Sequence, residues 1–203
     1  MADQLIQVCS ESETGAIEPG KRLFMSPRWH SPFRLAIKRT LDVTVSATLL
    51  LLLAPVFLLV AIAVKLSSPG PIFYRWKVVG CGGRPFTGYK FRSMVVNADA
   101  LRDELAARNE MTGPVFKIAN DPRITKSGAW LRKYSLDELP QLYSVLKGDM
   151  GLVGPRPPLV TEFEQFSDYQ KQKMAVKPGI TCLWQVSGRN QISDFDEWVR
   201  LEL

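Results

Sequence analysis

The sequence predicts an α+β chain, mostly helical, with an N-terminal re-entrant membrane helix hairpin and a cytoplasmic domain of short helices and a small β-hairpin. Three observations carry that prediction. An uncharged apolar run extends from Val43 to Val64, is interrupted by Pro55, and has basic residues on both flanks. Two aromatic-rich stretches, Ile72 to Val79 and Pro85 to Met94, flank Gly80-Cys81-Gly82-Gly83. Leu139, Leu142, Tyr143 and Leu146 recur at helical spacing ahead of Gly148.

Composition bounds the function classes. With 203 residues, 46% hydrophobic and 23% charged, the chain suits one domain plus a membrane element. This balance excludes a disordered chain, a collagen and a coiled coil. The single long apolar run excludes a polytopic transporter. Lys and Arg number 26 against 20 Asp and Glu, a net charge of +6. That sign suits membrane surfaces, nucleic acid or phosphorylated substrates and does not choose among them. Cys9, Cys81 and Cys182 are far apart and have no metal-ligand spacing. His30 is the only histidine, and it lies in a polar stretch from Ser26 to Pro32 that is a poor place for a catalytic base.

Taken in order, residues 1–32 are expected to be a flexible tail, since their Pro, Gly and Glu residues interrupt any apolar period. The membrane element is expected over 33–66. A straight helix over its apolar run would reach about 33 Å, enough to cross a bilayer core. The flanks argue against crossing. Lys21, Arg22, Arg28, Arg34, Lys38 and Arg39 precede the run, while Lys65, Arg75, Lys77, Arg84, Lys90 and Arg92 follow it. The positive-inside tendency places both ends on the cytoplasmic face. A helix bent at Pro55 satisfies that condition, and a spanning helix with a tolerated proline remains the alternative. Residues 67–203 would form the cytoplasmic catalytic domain. There Ser67 to Pro71 reads as a rigid turn and Ala98 to Arg108 as a short amphipathic helix with Leu101 and Leu105 on one face. The Gly-rich loop at 80–83 is not a phosphate-binding P-loop, because no GxxxxGK[ST] is present.

The densest chemistry lies between Asp121 and Pro158. Pro140 is tolerated only in the first turn of a helix, so Asp137 and Glu138 are expected at or near a helix N-terminus. Ser135-Leu136-Asp137-Glu138 also matches a capping box, and capping and catalysis stay equal readings of this stretch alone. Arg132 and Lys133 put cations beside the carboxylate pair, as phosphate chemistry requires. Gly154-Pro155-Arg156-Pro157-Pro158 is a stiff turn that either aims one guanidinium at a phosphate or leaves it facing solvent. Between Lys177 and Asn190, Gln185, Ser187, Arg189 and Asn190 are candidates for reading a nucleotide, and Trp184 for core packing or an interface anchor.

Together these stretches resemble the small, monotopic bacterial phosphoglycosyl transferases, or bacterial sugar transferases, of the exopolysaccharide-initiating type. The resemblance covers roughly 33–203. It is carried by Lys38-x-x-x-Asp42, Lys90-Phe91-Arg92-Ser93-Met94, Asp121-Pro122-Arg123, Leu131-Arg132, Ser135-Leu136-Asp137-Glu138-Leu139-Pro140-Gln141, Gly154-Pro155-Arg156-Pro157 and Pro178 through Asn190.

The resemblance implies transfer of a sugar 1-phosphate from a UDP-sugar, UDP-glucose or UDP-galactose, to undecaprenyl phosphate, with release of UMP. It implies Mg²⁺ as cofactor, the inner membrane as location with the catalytic part on the cytoplasmic face, and membrane lipid as partner; a second copy of the chain and downstream glycosyltransferases are candidate partners that the sequence leaves open. Asp137 resembles the nucleophile and a Mg²⁺ ligand, and Glu138 its dyad partner. Lys90, Arg92, Arg132 and Arg156 would hold phosphates, with Gln185 and Arg189 on the nucleotide. Lys38, Asp42 and Pro55 would position the membrane helix. Ala54 stands where a Ser often precedes the proline, and Cys182 where a Gly is common. Relatives usually continue past the position of Leu203, so a C-terminally truncated domain is among the expectations. A non-catalytic membrane-bound adaptor of a glycan assembly complex is the alternative function, and a hydrolase of nucleotide sugars a rival within the enzyme class. A nucleic-acid partner is not expected, because the charge is dispersed and no groove-reading motif is present.

Overall fold

A computed structural model describes residues 31–188 and 192–203. The tail expected over 1–32 therefore lies, but for its last two residues, outside the described residues, as do Arg189 and Asn190. Pro32, in the first turn where its missing N–H costs nothing, opens helix α1 (Pro32–Leu52). Leu53 leaves the helical track (φ −89°, ψ 5°), and α2 (Ala54–Ser67) starts with Pro55 in its first turn. The two helices are bent by 63°. Leu53 and Phe57 still donate to carbonyls four residues back, at 2.9 Å each, so the bend leaves both flanking turns bonded. Among the described residues no single helix is long and apolar enough to cross a membrane, whereas the bent pair together meets that length and composition.

The hairpin forms where the sequence places it. Strands β1 (Phe73–Val79) and β2 (Pro85–Phe91) pair antiparallel, with Phe73 opposite Phe91 and Trp76 opposite Gly88. The second strand ends at Phe91 rather than Met94, which instead makes an isolated bridge to Ile124. Between Ala98 and Arg108 the expected amphipathic helix is replaced by successive turns and a 3₁₀ turn at Ala106–Arg108. Most of its hydrogen bonds run back three residues, as from Arg102 to Asp99 and Leu105 to Arg102. Leu101 and Leu105 are only half-buried. A segment this short does not hold an α-helix without a packed face.

Helix α3 (Lys126–Lys133) is capped by Thr125, whose Oγ1 accepts the Gly128 N–H at 3.0 Å. The chain then makes a 3₁₀ turn, Leu136–Glu138, before α4 (Gln141–Lys147), which ends on Gly148 in the left-handed region as a glycine C-cap should. Strand β3 (Gly151–Val153) follows, then α5 (Val160–Phe163), α6 (Asp168–Lys171), β4 (Gly179–Thr181), α7 (Leu183–Val186) and α8 (Phe195–Glu202). β3 and β4 form a second, parallel two-stranded sheet that the sequence analysis did not anticipate. It depends on backbone contact at two glycines: a Cβ on Gly179 would stand 2.1 Å from the Gly154 nitrogen. Helices occupy about half of the described residues, so the α+β class holds with less helix than expected.

Two apolar clusters support this framework. Val60 and Val64 of α2 share one with Phe91 of β2 and Leu131 of α3, so the bent helix pair is part of the same core as the hairpin. The other joins Trp184 of α7 to Phe195, Trp198 and Val199 of α8. Trp184 is thus a core residue, stacked on Trp198 with ring centroids 4.2 Å apart.

Gly128 is where α3 crosses Ser93, and a Cβ there would lie 1.9 Å from the Ser93 carbonyl oxygen. Gly128→Ala is expected to destabilise the fold by about 3 kcal/mol, the upper end of overpacking costs. Urea unfolding of the detergent-held protein checks this; an unchanged midpoint would show that α3 can slide.

Candidate active site

Ser135 begins the site. It is the one non-glycine residue with positive φ among the described residues (φ 56°, ψ 22°), a conformation that costs an L-residue free energy and recurs at functional sites. Its side chain caps nothing, so the capping box does not form. Asp137 and Glu138 lie in the following 3₁₀ turn, so they stand just ahead of the α4 N-terminus rather than in its first turn. Pro140 gives the reason: without an N–H it cannot donate to the Leu136 carbonyl, so the α-helical ladder starts only beyond it.

Both carboxylates are buried, Asp137 to 6% exposure and Glu138 to 7%. Buried charge demands partners, and β2, the 154–158 turn and α7 supply them to Glu138. Lys90 Nζ lies 2.9 Å from its Oε1, and Arg156 Nη1 3.5 Å from the same oxygen. Gln185 Nε2 donates to its Oε2 at 3.5 Å. Lys90 also sits over the Trp76 ring, 4.7 Å from the centroid. Burial pushes the Lys90 ammonium below its ordinary pKa, against the pull of Glu138. Burial acts on Arg156 in the same sense, yet Glu138 beside it holds the guanidinium above its ordinary value.

Asp137 is placed differently. Burial raises its carboxyl above the usual range; Lys90 and Arg132 oppose that rise and Glu138 adds to it. Arg132, itself lowered by burial and supported by Asp137, is fixed through its Nε to Ser93 Oγ at 2.9 Å. The structure thus brings Asp137, Glu138, Lys90, Arg132, Arg156 and Gln185 together, as the sequence reading requires.

Other predicted residues stand elsewhere. The Arg92 guanidinium donates to the carbonyls of Pro69 and Ser68 at 2.6 and 2.7 Å, tying β2 to the turn after α2. Arg189 lies outside the described residues. Lys38 and Asp42 pair at 2.7 Å on α1, where Asp42 Oδ1 also accepts the Leu152 N–H at 3.1 Å. Arg39 beside them caps α4 through the carbonyls of Val145 and Leu146, at 2.6 and 2.8 Å. Pro55 marks the bend. Arg39 and Asp42 thus join α1 to the site's scaffold, and none of these four positions enters the site. Sequence reasoning gave no role to Ser93 and Trp76, which orient Arg132 and Lys90. It also missed the role of Asp121-Pro122-Arg123, a buried pair in which Arg123 Nη2 meets Asp121 Oδ2 at 2.6 Å. The aromatic alternation of β1 was the available signal for Trp76.

Two cavities meet this cluster. The larger, about 1330 Å³, has Trp76, Lys90, Arg132 and Arg156 in its wall. The smaller, about 470 Å³, is lined by Glu138 and Gln185 together with Leu49 of α1, Leu139, Leu152 and Ile180. One is aromatic and cationic; the other is mainly apolar and reaches the bent helix pair.

The family model for bacterial sugar transferases matches residues 33–203, and the chain belongs to that family. It is 47% identical over 178 residues to the galactosyl transferase CpsE of Streptococcus agalactiae, covering 88% of this chain and 39% of that protein. It is 44% identical over 171 residues to the undecaprenyl-phosphate galactose phosphotransferase of Salmonella typhimurium, covering 80% and 36%. With the exopolysaccharide production protein ExoY of Rhizobium meliloti it shares 42% identity over 160 residues, covering 77% and 71%. The chain thus spans little more than a third of the first two relatives and most of the third.

The raised Asp137 carboxyl has a consequence for stability. A carboxyl whose pKa is higher folded than unfolded binds more protons in the folded state, so its contribution is lost as pH rises through that window. Asp137→Asn is therefore expected to be at least as stable as the parent near pH 7, with the advantage shrinking as pH falls toward the ordinary carboxylate range. Urea midpoints of both proteins between about pH 4 and pH 8 read this directly. A difference that grows on acidification would contradict it.

Proposed function

We propose that the chain is a phosphoglycosyl transferase that moves a sugar 1-phosphate from UDP-galactose or UDP-glucose to undecaprenyl phosphate, releasing UMP. The observation that carries this reading is the buried Asp137–Glu138 pair beside two cavities: Lys90, Arg132 and Arg156 line the cationic, aromatic one, and Glu138 lines the apolar one that reaches α1. The first suits a nucleoside diphosphate sugar and the second a polyprenyl chain. The Salmonella typhimurium relative is an undecaprenyl-phosphate galactose phosphotransferase, which supports this reading.

Asp137 is the nucleophile. Its carboxylate oxygen bonds to the sugar-bearing phosphorus while the bond from that phosphorus to the bridging oxygen breaks. The electron pair leaves with UMP, and an acyl phosphate links Asp137 to the sugar phosphate. An oxygen of undecaprenyl phosphate then attacks the same phosphorus, the carboxylate leaves, and the lipid diphosphate sugar departs. Lys90, Arg132 and Arg156 stabilise charge that grows on the phosphate oxygens. Glu138 orients Lys90 and Arg156, with which it is paired. Burial destabilises the Asp137 anion, which favours its conversion into the uncharged acyl group of the mixed anhydride.

Mg²⁺ fits this site as an ion held by Asp137 and substrate. Among the described residues no group of three or more His, Cys, Asp or Glu side chains gathers into a protein cage. Mg²⁺ is commonly bound by one or two carboxylates plus substrate phosphates, and when bound by Asp137 and substrate it would neutralise phosphate charge. The bent pair over 33–66 serves as the membrane element, re-entering one leaflet, with 67–203 as the catalytic part on the cytoplasmic face. The apolar exposure of Leu51, Leu52, Leu58, Leu59 and Leu66 along the bent pair supports this.

The test is UMP release by the nanodisc-held protein with Mg²⁺ and each UDP-sugar, with and without undecaprenyl phosphate. Lipid-dependent release with parallel double-reciprocal lines is expected, since a covalent intermediate gives ping-pong kinetics. Asp137→Asn should abolish it, and Arg156→Lys should lower kcat by roughly 10²-fold, because a lysine cannot reproduce the guanidinium fork. Continued release without lipid, beyond one UMP per protein, would indicate a hydrolase, and no release from any donor an adaptor.

A further inference from the structure

Arg156 is the one residue of the 154–158 turn, apart from Gly154, that has a backbone N–H, because 155, 157 and 158 are prolines. The turn's carbonyls are held from outside: Val79 N–H donates to Pro158 at 2.9 Å and Gly179 N–H to Pro155 at 3.0 Å. The Gly154 N–H donates to the Thr181 carbonyl at 3.1 Å. The Arg156 N–H donates to Oε1 of Glu202, in α8, at 3.2 Å.

Glu202 is itself fixed. Its other oxygen lies 2.6 Å from Lys173 Nζ, and the two side chains are only 1% and 2% exposed. Lys173 also stands over the Trp198 ring, 4.8 Å from its centroid. The Cys182 thiol faces the same carboxylate, and burial together with Glu202 pushes it up to about 12. A buried ion pair is weak evidence for stability, because its desolvation offsets its attraction. Here the pair puts one carboxylate oxygen on the backbone of the residue that reaches Glu138.

We propose that Glu202 is a positioning residue: it holds the Arg156 backbone and thereby aims the Arg156 guanidinium at Glu138, with Lys173 fixing Glu202 in turn. The catalytic consequence rests on the proposed transferase reading; the positional one does not. Helix α8, far from the dyad in sequence, is thereby part of the site's support.

Removing Glu202 alone would strand a buried lysine and could unfold the chain, so the test compares two double variants that both lack the ion pair. Lys173→Met with Glu202→Gln keeps an acceptor oxygen for the Arg156 N–H; Lys173→Met with Glu202→Leu does not. Hydrogen exchange of the full chain in nanodiscs, read by mass spectrometry over 154–159, should rise about tenfold in the Leu variant relative to the Gln variant. Exchange in α4 should be equal in the two. UMP release should be roughly tenfold lower in the Leu variant, and that difference should vanish when both variants also carry Arg156→Ala, because groups acting as a unit are not additive. Equal exchange over 154–159 in the two variants would overturn the proposal, as would a rise shared by α4 or a rate difference that survives Arg156→Ala. If the parent releases no UMP, the transferase reading falls and the exchange comparison alone decides the positional claim.

Discussion

Two adjacent carboxylates removed from water are the constraint around which this structure is arranged. A buried anion with no partner costs several kcal/mol, and Glu138 is matched by side chains from three separate parts of the chain: Lys90 on β2, Arg156 on the proline-rich turn and Gln185 on α7. Each of those then needs its own support. Trp76 lies under Lys90, Glu202 holds the Arg156 backbone, and Gln185 accepts the Cys182 N–H at 2.9 Å. The two clusters of the core stand on either side of this convergence, one behind β2 and α3, the other behind α7 and α8.

The helix pair is built into that arrangement. Val60 and Val64 pack with Phe91, the neighbour of Lys90, and with Leu131, the neighbour of Arg132. From α1, Arg39 binds the end of α4 and Asp42 the start of β3. The carboxylate turn precedes α4 directly, so its position relative to α1 is set by short polar contacts rather than by a linker. On the proposed chemistry, this fixes the reacting carboxylate at a constant distance from the bent segment, which suits a substrate whose head must be presented from a lipid surface.

The sequence made legible whatever depends on local chemistry. Pro55 announced the bend, Gly148 the end of α4, and the glycines at 80–83 the hairpin, because each acts within a few residues of itself. The motif residues Lys90, Arg132, Arg156 and Gln185 were found as candidates, but their convergence on Asp137 and Glu138 is tertiary. Nothing in the spacing tells Arg92 from Lys90, although the first is bound to turn carbonyls and the second to Glu138. The parallel pairing of β3 with β4 was hidden because three-residue strands carry no period. The amphipathic pattern around Leu101 and Leu105 misled for the complementary reason: an apolar face makes a helix only where something packs against it.

On the proposed chemistry, the same contacts divide the labour between the two acids. Glu138 takes the direct ion pairs, whereas among the described residues Asp137 has none, and the nearby cations act on it at longer range. A carboxylate clasped by lysine and arginine is a poor nucleophile, because bond formation would give up those contacts. A carboxylate whose burial is only partly compensated has more to gain from forming a bond. Different surroundings at two neighbouring acids are a recurrent way of assigning them different roles. The left-handed Ser135 contributes to this division: it turns the chain abruptly between α3 and the acids, placing Asp137 toward Arg132 and Glu138 toward β2 without the regular helix that would have capped them both.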